Sequence, residues 1–503
     1  MDPIILCILI PFISAIASLM MWKSLLTQRI CGLIGMVFLC IAAGNLFLNV
    51  YQNGIQASYI GNWQPPFGII LVADLTSAIM VLVTAIIGIA VAIYSIADID
   101  PRREKFGYWS FIHFMLMGIC GAFLTGDIFN LFVWFEVLLI SSFALMCLGG
   151  ARAQMEGAIK YVILNLVSSV CFLAACGLLY AQLGTLNMAD LAVRVQEISP
   201  PLATVTAMLF LVAFGLKAGI FPLFFWLPAS YHTPPVAISA IFAGLLTKVG
   251  VYALIRIFTL IFITNIGFTH GLLLILASLT MITGVLGAMS QYDFRRLLSF
   301  HIISQVGYMI LGLALYTPLA LAGTVFYLFH HIIVKSNLYL ISGITHRTNG
   351  TFDLKKMGGL YAKIPWLAVL FLIPALSLGG IPPLSGFFAK FTVIKAALQP
   401  HEIFTSTATA AAAVALLVGL LTLYSMIKIW NEAFWKTPDP THSPRNALSP
   451  RTKWLLYSPC VFLASITVLI GIFPGVFFDV AMQAAEQLMN PQSYIQTVLG
   501  GHF

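Results

Sequence analysis

Apolar runs long enough to cross a bilayer follow one another from end to end of this chain, which restricts it to a membrane fold. Fourteen can be counted, at 3–22, 30–50, 69–96, 108–125, 128–149, 157–181, 203–229, 236–262, 268–288, 295–315, 320–345, 364–395, 404–431 and 454–476. About 20 helical residues span the hydrocarbon core, so each run is a candidate transmembrane helix. Charged residues make up only 8% of the chain, far below the roughly 25% of soluble domains. The longest polar stretch, Lys428 to Lys453, is too short to be a soluble domain. The first run ends in "AIAS", which resembles a signal cleavage site, but Asp2 precedes it and no Lys or Arg does. A signal needs a positive n-region, so the run is kept as a first span. The expected class is an all-α polytopic membrane protein of about fourteen transmembrane helices.

The positive charge is sorted by side. The loops joining runs 1–2, 3–4, 5–6, 9–10, 11–12 and 13–14 hold seventeen Lys and Arg, whereas the opposite side holds three, Arg194, Arg256 and Lys395. The positive-inside rule then places the basic loops in the cytoplasm and both termini outside. The net charge of +8 follows from topology and needs no nucleic-acid partner. The eight cysteines stand singly with no Cys-x-x-Cys, which argues against zinc or iron–sulfur sites. There is no His-Glu-x-x-His and no Gly-x-x-x-x-Gly-Lys-Ser/Thr loop, so neither metal catalysis nor ATP is expected, and no cofactor is called for.

Five lysines fall inside the spans, Lys160, Lys217, Lys248, Lys335 and Lys390, together with Glu136. A charge at the bilayer centre costs about 2.5–3.5 kcal/mol on insertion scales, and such residues mark ion or proton paths. Lys160, near the start of its run, is also open to snorkelling to the interface. Lys217 and Lys248 are too far from either end for that. A structural ion pair of Glu136 with Lys217 is a further reading, but one acid cannot neutralise five lysines. Polar neighbours share helix faces with this set. His301, Ser304, Gln305 and Tyr308 follow i, i+3, i+4, i+7, His331 precedes Lys335 by one turn, and Lys248 precedes Tyr252 by one turn. Buried lysines poised between desolvation and nearby charge, facing His and water, are suited to proton relay.

Two runs carry the same break. Residues 219–223 are GIFPL and 380–384 are GIPPL. Gly219 and Pro222 should end the seventh helix just after Lys217, and Gly380, Pro382 and Pro383 should break the twelfth before Lys390. Asp127 matches Asp293, and Lys160 is matched with Lys335. Helices 4–8 and 9–13 therefore read as two copies of one five-helix unit, the second inverted, a pattern found in secondary transporters with midplane sites. The expected units are 1–107 (helices 1–3), 108–262 and 263–432 (the two repeats), and 433–503 (a cytoplasmic loop, helix 14 and an outward C-terminus).

The segments TGDIFNLFVWFE (125–136), LKAGIFPLFFWLP (216–228), GLLTKVGVY (244–252), DFRRLLSFHIISQVGYMILG (293–312), HHIIVK (330–335) and SLGGIPPLSGFFAKF (377–391) resemble the antiporter-like family. That family is shared by respiratory complex I, membrane hydrogenases and Mrp cation/proton antiporters. The likeness is closest to the Mrp branch, through TGDIFNLFVWFE and the C-terminal YIQTVLG. The resemblance implies a proton path of Glu136, Lys217, Lys248, His331, Lys335 and Lys390, supported by Lys160, Tyr252, His301, Ser304, Gln305 and His330, with Lys390 at its outer end. It also implies a bacterial inner-membrane assembly with six further subunits, exchanging Na+ for H+ without being an enzyme. The alternative it leaves open is a proton-pumping subunit of a quinone- or hydrogen-linked redox complex. Complex I relatives place a histidine where Tyr231 stands, and His232 follows, so a role for His232 does not follow from the likeness.

Overall fold

The computed structural model describes residues 2–65, 68–400, 404–437 and 449–500. Arg445 and the middle of the loop between Lys428 and Lys453 lie outside the described residues. Each of the fourteen apolar runs contains a helix. They are α1 (Pro3–Met20), α2 (Leu25–Asn53), α3 (Leu75–Asp98), α4 (Tyr108–Leu124), α5 (Ile128–Met146), α6 (Arg152–Leu183), α7 (Pro200–Ala218), α8 (Val236–Ile261), α9 (Ile266–Ser290), α10 (Phe294–Leu315), α11 (Pro318–Asn349), α12 (Pro365–Gly379, continued as Ser385–Leu398), α13 (Thr405–Trp435) and α14 (Pro450–Ile472). Two shorter helices, α15 (Pro474–Met489) and α16 (Pro491–Leu499), follow.

The third run begins later than its hydropathy implies. Ile70–Ala73 form a strand paired antiparallel with Gln56–Tyr59, so α3 starts only at Leu75. Asp74 caps it in a reciprocal box with Ser77. At the other end of the bundle Arg29 forks onto Glu104 at 2.7 and 2.6 Å, and Glu104 also accepts from the Trp109 indole at 2.7 Å.

Burial separates wall from core. The apolar windows of α8, α10 and α11 are 100%, 94% and 94% buried, against 39% for α1, α2, α6 and α13. The core helices are thus covered all round by protein, and they carry buried histidines and two of the buried lysines.

The two breaks superpose position for position at an offset of 161. Gly219 and Gly380 are both left-handed, with φ of 76° and 90°, a conformation that favours glycine. The Gly215 carbonyl accepts from Gly219 and Ile220, as the Leu376 carbonyl does from Gly380 and Ile381. Phe221–Pro222 and Pro382–Pro383 are both cis. Upstream the offset is 166. Asp127 caps α5 and pairs with Asn187, while Asp293 caps α10 and pairs with Asp353. Both α6 and α11 are 32 residues long, beginning at Arg152 and Pro318. This register corrects the match of Lys160 with Lys335. Ser169, not Lys160, occupies the position equivalent to Lys335, and Lys160 corresponds to Phe326. Five crossings per unit turn the second copy over relative to the first.

The break in α12 leaves no room at Gly386, where an added Cβ would overlap the Ser377 carbonyl oxygen and touch His330. Gly386→Ala is expected to cost about 1–3 kcal/mol through overpacking, read as a lower unfolding temperature of the purified protein.

Candidate functional site

Breaking a helix exposes its last carbonyls, and those carry the negative end of the helix dipole. Lys217 stands at that end of α7. It is buried, with its ammonium 5.5 Å from the Phe135 ring centroid. Glu136, on α5, is half-buried and accepts a hydrogen bond from the Ser169 hydroxyl of α6. The structural ion pair of Glu136 with Lys217, one reading of the sequence, is not formed: the two lie in electrostatic range without direct contact. Glu136 lies at the edge of an outward face that includes Val133 and Ile140.

Lys248 is solvated by its own helix. Residues Phe242–Leu246 form a π-turn just before it, which loosens the backbone bonding there. The Ala243 carbonyl accepts from Lys248 Nζ at 2.6 Å. Two residues on, Gly250 brings α8 against the α7 break, since a Cβ there would meet the Ala218 nitrogen at 2.6 Å. Lys335 is fully buried and donates to the Leu298 carbonyl of α10 at 3.0 Å. His331 is within electrostatic range of Lys248, Lys335, His330 and His301. Among the described residues Ser304 Oγ, Gln305 Nε2, His301 Nδ1 and both ring nitrogens of His331 find no protein partner, and nor do both amide atoms of Asn337 on another face of α11. Buried polar atoms of this kind call for hydrogen-bond partners, and those named lie on α10 and α11.

Lys390 closes the row. Its Nζ donates to Leu378 at 2.8 Å and Gly379 at 3.2 Å, the last carbonyls before the α12 break, and lies 5.1 Å from the Tyr308 ring centroid. In the first repeat the indole of Trp226 serves the neighbouring orphan, the Leu216 carbonyl, at 2.9 Å. His330 reaches the same α12 break through Ser385 at 2.8 Å and on to Ser377 at 3.0 Å. His301 bonds Ser425 of α13 at 2.7 Å, and Tyr327 donates to Gln305.

Lys160 does not join this row. Its side chain is 51% exposed and pairs with Glu156 at 2.6 Å one turn away, which fits the snorkelling alternative. Arg256, counted by sequence among the three cations of the outer side, is buried within α8 and paired with Asp74. His232 lies in the turn before α8, while Tyr231 is packed between Trp226 and Phe242. Ser169, Ser377, Ser385 and Ser425 were not anticipated, because a lone serine in an apolar helix ordinarily bonds its own backbone. The equal lengths of α6 and α11 are the signal that would have brought Ser169 into view.

Residues 125–416 match the family described as NADH:quinone oxidoreductase/Mrp antiporter, TM. The D-type subunit of the Na(+)/H(+) antiporter of Alkalihalophilus pseudofirmus is 50% identical over 497 residues, covering 99% of both chains. That of Bacillus subtilis is 44% identical over 501 residues, again 99% of both. Among solved structures, a chain of the Mrp complex from Dietzia sp. DQ12-45-1b superposes with a TM-score of 0.89 at 30% identity, over 99% of each chain. A chain of an archaeal membrane-bound sulfane sulfur reductase gives 0.89 at 27%, also over 99% of each.

Burying a lysine without a carboxylate partner costs folding free energy. Lys248→Met should therefore raise the unfolding temperature of the purified protein. Lys160→Met should change its stability by no more than about 0.5 kcal/mol, as for most surface substitutions.

Proposed function

The chain belongs to the NADH:quinone oxidoreductase/Mrp antiporter membrane family, and on that premise we propose that it is the proton-translocating D-type subunit of a multisubunit Na+/H+ antiporter. Its partners are the A, B, C, E, F and G type subunits, and it works as part of a secondary transporter rather than as an enzyme. One observation carries this reading beyond likeness. Lys248, Lys335 and Lys390 are buried, and each donates to backbone carbonyls. Among the described residues none of the row, Lys217 included, forms an ion pair with a carboxylate. An inert scaffold would neutralise buried lysines with acids. A relay needs them free to exchange protons with water and neighbouring imidazoles.

The path proposed runs from Glu136, held by Ser169, past Lys217 at the α7 break to Lys248. It continues through the His331–Lys335 turn and ends at Lys390. His301, His330, Ser304, Gln305 and Tyr252 lie beside it. The basic loops face the cytoplasm and both termini face outward, which sets Lys390 in the outer half of α12. The membrane is the bacterial inner membrane. Each charge moved across 100 mV contributes about 2.3 kcal/mol, so more than one proton entering per Na+ expelled lets the proton-motive force drive export. The half-buried Glu136, beside an apolar outward face, is suited to cover by a partner subunit, because lipid would not solvate it. The redox-complex alternative shares the fold, but identity to the D-type antiporter chains extends over the whole length.

The test is Na+-dependent proton flux in vesicles that hold the full subunit set. Glu136→Gln, Lys217→Met, Lys248→Met and Lys390→Met should each lower flux about a hundredfold, the lower end of what positioned proton-transfer groups contribute, while the complex still assembles. Lys160→Met should keep wild-type flux. Variants that lose assembly but not specific flux would return the scaffold reading.

A further inference from the structure

The polar face of α8 does not end at Lys248. Tyr252 and Arg256 follow at one-turn spacing, so a stripe runs from the central lysine to the end of α8 away from the basic loops. There Arg256 Nη2 donates to Asp74 Oδ2 at 2.5 Å and to the Tyr252 hydroxyl at 2.9 Å. The Tyr252 hydroxyl donates to the Phe123 carbonyl of α4 at 2.7 Å. Asp74 is itself fixed, since it caps α3 by accepting from the Ser77 nitrogen at 2.8 Å. The guanidinium lies between the rings of Tyr252 and Tyr494, at 5.3 and 5.1 Å from their centroids. Tyr494 belongs to α16 and is buried. That region is tied down twice more. Tyr59 donates to the Val498 carbonyl at 3.0 Å, and the Leu75 nitrogen donates to the Gln487 side chain of α15 at 2.8 Å.

We propose that Arg256 is a fixed plug that closes the α8 stripe beyond Lys248, with Asp74 as its anchor and α16 as its lid. A guanidinium stays charged at any physiological pH, so it relays no proton, and with Arg256 held by Asp74 and Tyr252, and the Tyr252 hydroxyl held by Phe123, the closed network leaves no free group to hand a proton on. A proton on Lys248 then has one outward route, through Lys335 to Lys390. Without the plug the same proton would escape down α8, and the gradient would discharge with no cation moved. This inference rests on the relay proposed above.

The test is the collapse of an imposed pH gradient in Na+-free vesicles that hold the complete antiporter. Two variants open the plug. Asp74→Asn combined with Arg256→Gln removes both charges and leaves neither buried alone, and Tyr494→Leu removes the lid. Each is expected to collapse the gradient severalfold faster than wild type. The leak should persist when Lys390→Met is added, because the route bypasses α12. Arg256→Lys, which keeps the charge, should stay tight. Assembled variants that hold the gradient as well as wild type would overturn the proposal, and if the double variant does not assemble, Tyr494→Leu alone decides in the same way. Failure of the relay reading would look different, with Lys390→Met exchanging Na+ for H+ at the wild-type rate.

Discussion

An ammonium at membrane depth must be solvated by something, and for Lys248, Lys335 and Lys390 that something is the peptide backbone. Helices normally consume their own carbonyls, so a donor in the membrane interior finds few acceptors. Here the chain frees carbonyls where lysines need them. The π-turn at Phe242–Leu246 loosens the turn that holds Lys248, and the α12 break presents Leu378 and Gly379 to Lys390. Lys335 takes the Leu298 carbonyl near the start of α10. A carbonyl accepts from an ammonium and from a neutral amine alike, so the same contact serves a lysine before and after it gives up a proton. A carboxylate contact would bind the charged form instead.

The two breaks share one backbone and differ in what fills it. Both end on a left-handed glycine and both stack two amides on one carbonyl. In the first repeat the charge stands before the break, on Lys217, and an indole occupies the far side. In the second the charge stands after the break and folds back across it. The ammonium of Lys390 thereby reaches the carbonyls of Leu378 and Gly379, the positions equivalent to Lys217 and Ala218. Ser169 at the position equivalent to Lys335 is a second such divergence: one copy keeps a hydroxyl that holds Glu136, the other an ammonium that donates to the Leu298 carbonyl.

Much of this was legible in the sequence because membrane folds leave few choices. Helix count, repeat and breaks follow from run length, odd crossing number and Gly-x-x-Pro, each a backbone constraint. What was not legible is side-chain direction. Lys160 and Lys335 look alike in one dimension, yet one sits on an outward face beside Glu156 and the other in the core. Glu136 and Lys217 are the natural charge pair by composition, yet a serine on the next helix takes the carboxylate. Arg256 was hidden by its place near a helix end, where arginines usually reach headgroups. The strand at Ile70–Ala73 was hidden because its apolar residues extend the hydropathy of α3.

The polar atoms of the core fall into two classes, and the difference bears on function. Around Arg256 nearly every donor named has a protein acceptor, in a closed set of Asp74, Tyr252 and Phe123. In the neighbouring core both ring nitrogens of His331, Ser304 Oγ and Gln305 Nε2 have no protein partner among the described residues. A satisfied network is rigid and excludes water, whereas an unsatisfied one at the same depth is stable only when water completes it. Through Lys248 and Arg256 the same helix, α8, carries both the relay and the plug proposed above. On the relay and plug proposed above, proton conduction and resistance to leak act in series within nine residues of one helix, Lys248 to Arg256.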